Sequence, residues 1–430
     1  MLTKTALAAP TFSLAYFEET YKNLHQYAGL SLQEHFAAGT AAQHLKSLSD
    51  FEVTERIGGY GLIGVLRNGE GKTVLLRADM DALPIEELTE LEYASQARQV
   101  DVEDGIEKPV MHACGHDIHV ACLLAAASNL HAHRHRWNGT LVILFQPNEE
   151  RGGGARAMID DGLYNQERHN CPIPDVVLGQ HLMNSPSGQV GIRSGSFMSA
   201  SDSFKVTVYG RGGHASMPHL TVDPVVIASF IVTRLQTIIS REVDPNDTAV
   251  VTVGSIQAGD TANIIPAEAV LKINIRTFKS DTREKTIASI RRIVKAECEA
   301  GNSPKEPLIE HTGSVPGTVN DETTKEQISQ AFKAHFGPDF FQGIDRVAAS
   351  EDFSILATEA PNKEGGIGVP YCYWTFGGTD PELWEDARKG GKLDEIPSNH
   401  SPFFAPIIQP TLKIGMEALV VAAMSYLDLY

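Results

Sequence analysis

Three histidines, a cysteine and an aspartate fall within MHACGHDIHV, residues 111–120. Cys114 and His116 stand two apart in a loop that feeds an apolar, helix-like run, so one turn of backbone can aim both at a single point. A helix N-terminus and a cation each favour the thiolate, which is the form that binds metal. A lone C-x-H fits a buried core equally well, and His112, Asp117 and His119 share that ambiguity as supporting candidates. The second cluster is Glu149-Glu150, which closes TLVILFQPNEE. Neighbouring residues on an extended segment point to opposite sides, so a division of labour is expected, one carboxylate on a metal and the other moving protons on a water. A solvated acidic turn is the ordinary alternative.

His181 closes DVVLGQH and His400 sits in SNHSPFF, and each taken singly reads as structural. With Cys114, His116 and Glu150 they make a mixed sulfur, nitrogen and oxygen set suited to transition metals rather than to calcium or magnesium. Five donors exceed what one open catalytic zinc requires, which points to two ions. His214 in GRGGHASMPH, Asn263 in TANIIP and Arg276 at the end of LKINIRTF have plain readings as a loop histidine, a turn former and a strand-end charge.

The elements that must position these residues show in the apolar patterning. TVLLRADMD, TLVILFQPNEE and DVVLGQH are apolar runs ending in polar residues, and helix-like VACLLAAASNL and GARAMIDDGLY alternate with them. Strands alternating with helices predict an α/β domain with a mostly parallel sheet flanked by helices. Its active crevice would lie at the carboxyl ends of the strands, where Asp79, Asp81, Glu149, Glu150 and His181 fall. From Ser199 the texture changes to strand, helix, two strands, helix, strand, which predicts an inserted α+β sandwich. The expected division is a discontinuous catalytic domain, 1–199 and 316–430, carrying an inserted domain, 200–315.

With 430 residues, an apolar fraction of 42% and a charged fraction of 21%, the chain has the composition of a soluble globular protein of more than one domain. A net charge of −18 argues against nucleic-acid or anionic-membrane surfaces. No apolar run in the sequence approaches the roughly 20 residues of a membrane span. The segment MLTKTALAAPTF is interrupted by Pro10 before it reaches the length of a secretory core, so a cytoplasmic location is expected. The five cysteines are scattered without a CxxC pair, which argues against a disulfide framework.

Taken together, LLRADMDALPIEE, MHACGHDIHVACLLAAA, FQPNEERGGGARAMIDDG, GQHLMNSPSGQVGIRSG, GRGGHASMPHLTVDP, ANIIPAEAVLKINIRTF, ASEDF and NHSPFF are an ordered set of motifs. The set closely resembles the metal-dependent aminoacylase and carboxypeptidase family, in the branch holding hippurate hydrolases and plant auxin-conjugate hydrolases. The resemblance implies a dimetal catalytic domain with an inserted lid, and a small N-acyl amino acid or related amide as substrate. It implies two divalent ions, drawn from zinc, manganese, nickel or cobalt, held by Cys114, His116, Glu150, His181 and His400. It makes Glu149 the general base and gives the scissile carbonyl to His214, in some members from the partner subunit of a homodimer formed through the lid. Asn263 and Arg276 would hold the substrate, with Asp79, Asp81 and Asp117 in support. Three positions depart from wider usage: Asn148 where alanine is common, Arg151 where glycine is common, and Arg77 where the wider family has a histidine ligand. Two other classes compete, a thiol amidase using Cys114 as nucleophile and a non-catalytic binding protein that keeps the fold.

Overall fold

The computed structural model describes residues 8, 10 and 12–429. Most of the N-terminal segment read above for a leader therefore lies outside the described residues. The chain forms two compact units, one of Met1–Gly195, Val319–Asp345 and Asp352–Tyr430, the other of Ser196–Thr318 with Arg346–Glu351. The short returning segment Arg346–Glu351 was invisible to element counting, because it carries no helix or strand pattern of its own.

The larger unit is built on a nine-stranded sheet. Eight strands run in the order Glu52–Ile57, Gly61–Asn68, Trp137–Gln146, Thr73–Asp79, Val176–Pro186, Tyr371–Thr379, Val190–Ile192, Phe340–Gln342, and the ninth, Asp428–Leu429, pairs with Trp137–Gln146 off this path. Thr73–Asp79 pairs in parallel with both of its neighbours, and Tyr371–Thr379 pairs in parallel with Val176–Pro186. Every residue of Thr73–Asp79 is buried, as expected of a strand covered on both faces by helices. The hairpin Glu52–Ile57 and Gly61–Asn68 adds an antiparallel edge.

The helix His116–Ala132 is buried almost all round, from Ile118 through Ala127. Its alanines let the helix Thr411–Tyr426 and the helix Ala15–Gln26 lie close against it, and a helix buried on all sides in this way belongs in a core rather than on a surface. One expectation about strand ends changes. Val176–Pro186 runs on past His181, so that residue is mid-strand rather than terminal. Because Arg77 pairs with Gly179, His181 still lies level with Asp79, the last residue of the neighbouring strand.

In the smaller unit a four-stranded antiparallel sheet runs Ala249–Gln257, Glu268–Thr277, Ala200–Tyr209, Leu308–Val315. Phe204, Val206, Val208, Leu271, Ile273 and Ile275 alternate onto one face and pack against the helices Pro224–Thr237 and Ser280–Ala300. Asp223 caps the first of these helices through Val225 N–H, with Pro224 in the first turn where its missing donor costs nothing. Among the described residues the stretch Pro224–Glu242 is long and apolar enough to cross a membrane by length and composition. Here Ile227, Ala228, Ile231 and Leu235 spend that apolarity on the sheet.

Candidate metal centre

All five sulfur, nitrogen and oxygen donors singled out in the sequence lie in the larger unit, and their ligand atoms converge. Cys114, His116 and His181 place one ligand atom each within 4.8 Å of one another, and so do Cys114, Glu150 and His400. Cys114 belongs to both groups. The residue between the first two ligands explains the spacing. Gly115 takes the left-handed conformation, φ 87°, and caps the helix His116–Ala132, while a Cβ there would meet Leu182 Cδ2 at 2.7 Å. Only glycine turns Cys114 and His116 toward a common point without that collision.

The other ligands arrive on separate elements. His181 donates through Nδ1 to Leu182 O at 2.7 Å, which leaves Nε2 as a lone pair facing Cys114 Sγ at 3.5 Å. His400 sits at φ 71°, and its N–H donates to Ala113 O at 2.7 Å, fastening its loop beside Cys114. Asn399 completes that fastening. Its Nδ2 donates to Leu182 O at 3.0 Å and to Cys114 O at 3.2 Å. Nothing in the sequence marked Asn399, since its role depends on loops far apart in the chain.

The two glutamates do not follow the extended geometry expected of them. Glu149 and Glu150 form a turn after the strand Trp137–Gln146, with Asn148 at φ 54° just before them. Both carboxylates reach the same neighbour, each 3.8 Å from His116 Nε2. Adjacency therefore does not separate them to opposite sides, because the turn replaces the alternation of a strand. Asp81 holds the turn by accepting Glu149 N–H at 3.1 Å and Glu150 N–H at 3.0 Å. The same carboxylate lies 3.4 Å from His116 Nδ1 and takes the Ser31 hydroxyl at 2.7 Å.

Asp79 pairs with Arg77 at 2.6 Å and accepts His119 Nδ1–H at 2.5 Å. His119 Nε2 accepts Leu182 N–H at 2.8 Å, so both of its nitrogens are taken and it has no lone pair for an ion. Asp117 faces away, to His25 Nδ1 at 2.7 Å, and His25 Nε2 meets Glu87 at 3.0 Å. Burial pulls the His25 imidazole down, but those two carboxylates carry it up to about 9. His112 is buried and pushed down to about 4, mainly by burial. Arg77, in the place of a histidine ligand, is fully enclosed and bonds Gln146 as well as Asp79, with Asp352 3.6 Å away. Arg151 turns to Asp101 at 2.7 Å and Glu103 at 3.2 Å, fastening the turn to the segment 98–109.

The unpartnered atoms say what the cluster fits. Neither ring nitrogen of His116 makes a hydrogen bond, nor does Glu150 Oε1, and all three are buried. Leaving such atoms unsatisfied costs several kcal/mol in total at roughly 1–3 kcal/mol each, so a cation coordinated there is the natural partner. Burial, opposed in part by His116, pushes the Glu150 carboxyl up to about 7. Burial and Glu150 hold the Cys114 thiol well above its ordinary range, while burial and His119 hold His181 well below its own. A thiolate nucleophile needs the Cys114 shift reversed, and the His116 imidazole, which burial pulls down but Asp79 and Asp81 carry well above its ordinary range, opposes that shift only in part. A divalent ion beside the two groups favours the thiolate and the neutral imidazole together, so the donor chemistry fits metal and not a cysteine nucleophile.

The remaining candidates belong to the smaller unit. His214 is exposed, and its Nδ1 meets the Ser216 hydroxyl at 2.8 Å. Asn263 is exposed too, its carbonyl accepting Ala215 N–H at 3.0 Å beside the His214–Ile264 strand pair. Arg276 is half-buried on the strand Glu268–Thr277, bonded to Asn274 and Ser350.

The comparison with known families identifies the class: residues 75–379 match the model of peptidase family M20/M25/M40, and the chain belongs to that family. It is thereby an amide-bond hydrolase of the metal-dependent kind. Among curated relatives it is 39% identical over 345 residues to a hippurate hydrolase of Campylobacter jejuni, covering 79% of this chain and 84% of that one. It is 37% identical over 376 residues to an IAA-amino acid hydrolase of Arabidopsis thaliana, covering 85% and 75%. A solved structure from methicillin-resistant Staphylococcus aureus matches with TM-score 0.81 at 31% identity, over 96% of this chain and 97% of the other. A dinuclear metal binding peptidase of Bacillus subtilis shares the fold with TM-score 0.72 at 24% identity, over 96% and 97%.

Proposed function

We propose that the chain hydrolyses the amide bond of N-acyl amino acids or closely related conjugates, with two divalent ions in the larger unit. The observation that carries this reading is the sharing of Cys114 by two donor groups, Cys114 with His116 and His181, and Cys114 with Glu150 and His400. Cys114 would serve as a ligand in both groups, with His116, His181, Glu150 and His400 supplying the rest, and zinc, manganese, nickel and cobalt would all accept such a set. Ions held there supply Lewis-acid polarisation of the scissile carbonyl and make water acidic near neutral pH.

The protein's own groups handle the rest. Glu149, the carboxylate beside the five donors, takes the proton of the attacking water and passes it to the leaving amine. Asp81 keeps Glu149 in place through its backbone N–H. His214 donates to the carbonyl oxygen as negative charge develops on it. Arg276 receives the substrate carboxylate, for which a guanidinium offers two parallel donors, and Asn263 contributes a further hydrogen bond. These three roles require the smaller unit to act as a lid on the substrate, and a homodimer through that unit belongs to the same reading.

Metal analysis followed by assay on a panel of N-acyl amino acids, with and without chelator, tests the whole. Metal near two ions per chain and chelator-sensitive release of free amino acid are expected, whereas chelator-resistant turnover abolished by thiol alkylation would restore the cysteine nucleophile. Cys114→Ser separates the roles further, since a protein retaining full metal content in that variant contradicts a bridging thiolate.

A further inference from the structure

Arg276 and Asn274 alternate onto the same face of the strand Glu268–Thr277, the face opposite the one that packs on the helices. Asn274 Oδ1 accepts Arg276 Nε–H at 3.1 Å. The amide is itself held, because its Nδ2 donates to Ser201 Oγ at 3.0 Å and to Ser203 Oγ at 3.2 Å. Those serines stand on the paired strand, Ser203 directly opposite Asn274 and Ser201 opposite Arg276. On the other side of the guanidinium, Nη1 donates to Ser350 Oγ at 2.7 Å and lies 3.5 Å from Ala348 O. Among the described residues no carboxylate pairs with Arg276, although it is half-buried.

We propose that Asn274 is a positioning and specificity residue: it closes the side edge of Arg276, so that a substrate carboxylate is received only at the outer, Nη2 end. A guanidinium has two forks for a carboxylate, the side fork of Nε and Nη2 and the end fork of the two Nη groups. Asn274 occupies Nε, and Nη1 donates to Ser350 Oγ and, at 3.5 Å, to Ala348 O, so the two Nη2–H protons remain. Arg276 and the Asp202 carbonyl dictate the amide's orientation, since turning it would set an N–H against Arg276 Nε–H and its oxygen against Asp202 O. The consequence is selectivity by angle. A carboxylate arriving at the side edge finds the Nε–H donor already engaged, and its own negative charge faces the carbonyl dipole of Asn274. The preferred substrate is therefore one whose free carboxylate lies in the line of the Arg276 side chain, and a carboxyl-blocked analogue gains nothing from the arrangement.

This rests on the assignment of Arg276 to the substrate carboxylate, and the experiment separates the two. KM and kcat are measured for an N-acyl amino acid and for the same compound with its carboxyl group converted to a primary amide, in the wild type, Asn274→Ala, Asn274→Asp and Arg276→Ala, alongside the melting temperature of each. Arg276→Ala should raise KM for the free acid at least tenfold more than for the amide, and equal effects on both would remove the carboxylate reading and this proposal with it. Given that difference, Asn274→Ala should raise KM for the free acid about tenfold more than for the amide, with kcat moving far less than KM. Asn274→Asp should be worse for the free acid, because the new carboxylate competes for Arg276. Equal losses on both substrates in the two Asn274 variants, or a fall confined to kcat, would show a merely structural role and overturn the proposal. Asn274→Asp keeps the side chain's shape, so it serves where the alanine variant melts early.

Discussion

The two units present their candidate residues in opposite states. In the larger one His116 is wholly buried and its nitrogens lack hydrogen-bond partners, whereas in the smaller one His214 is exposed and already bonded to Ser216. A buried orphan is a standing demand for a specific partner, because no water reaches it. An exposed histidine makes no such demand and acquires a role only when substrate arrives. The difference teaches where each proposed role can be read: unmet demand for a partner is written into the folded larger unit itself, while the proposed substrate contacts fall on loops and strand faces that look ordinary without a ligand.

Four measurements sharpen or break that contrast. Glu149→Gln should lower turnover by roughly 10²- to 10⁴-fold with metal content intact, the usual reach of acid–base catalysis. Turnover near wild type in that variant removes Glu149 from the chemistry. His214→Ala should cost on the order of 10²- to 10³-fold, the scale of an oxyanion donor, again without loss of metal. A drop in metal content in this variant would erase the distinction drawn between the units.

The third concerns the buried charges on which the larger unit rests. His25 has its pKa raised to about 9 between Asp117 and Glu87, against 6.5 as its ordinary value. Stability from that pair of contacts is therefore fully present below about pH 6.5 and is lost as pH rises through about 9, worth on the order of 3 kcal/mol at full strength. Urea unfolding of the wild type and of His25→Gln should converge as pH climbs from about 6.5 to above about 9. A gap that stays constant across that range would show His25 neutral in the fold. The smallest effect is expected from Asp81→Asn, which weakens the clamp on both glutamates and removes the negative charge 3.4 Å from His116 Nδ1. Metal affinity should fall about 10- to 100-fold, as for other groups that orient ligands, and undiminished affinity in a metal-buffered titration would make Asp81 incidental.

Local pattern carried most of the fold. TVLLRADMD, TLVILFQPNEE and AVLKINIRTF became the strands Thr73–Asp79, Trp137–Gln146 and Glu268–Thr277, and the apolar run after His116 became a core helix. These segments declare themselves because burial on one or both faces sets their periodicity. The helices Ala15–Gln26 and His35–Ser47 and the edge hairpin went unread, since their mixed composition fits several structures. At the centre, residue type was enough to nominate Cys114, His116, Glu150, His181 and His400. It was not enough for Asn399, whose value lies in two carbonyls from other loops, or for the turn that brings Glu149 and Glu150 to one side. Neither feature exists until the chain has folded, so neither has a local signature.

The knot that Asn399 and His400 tie around Cys114 also imposes an order on biosynthesis. A ribosome exposes Cys114, His116, Glu150 and His181 long before the segment that closes over them, and domains fold from the N-terminal side as they emerge. A nascent chain therefore shows thiol and imidazole groups with no closing loop to select among cations. The complete donor set exists only once the loop of Asn399 and His400 has closed on Cys114.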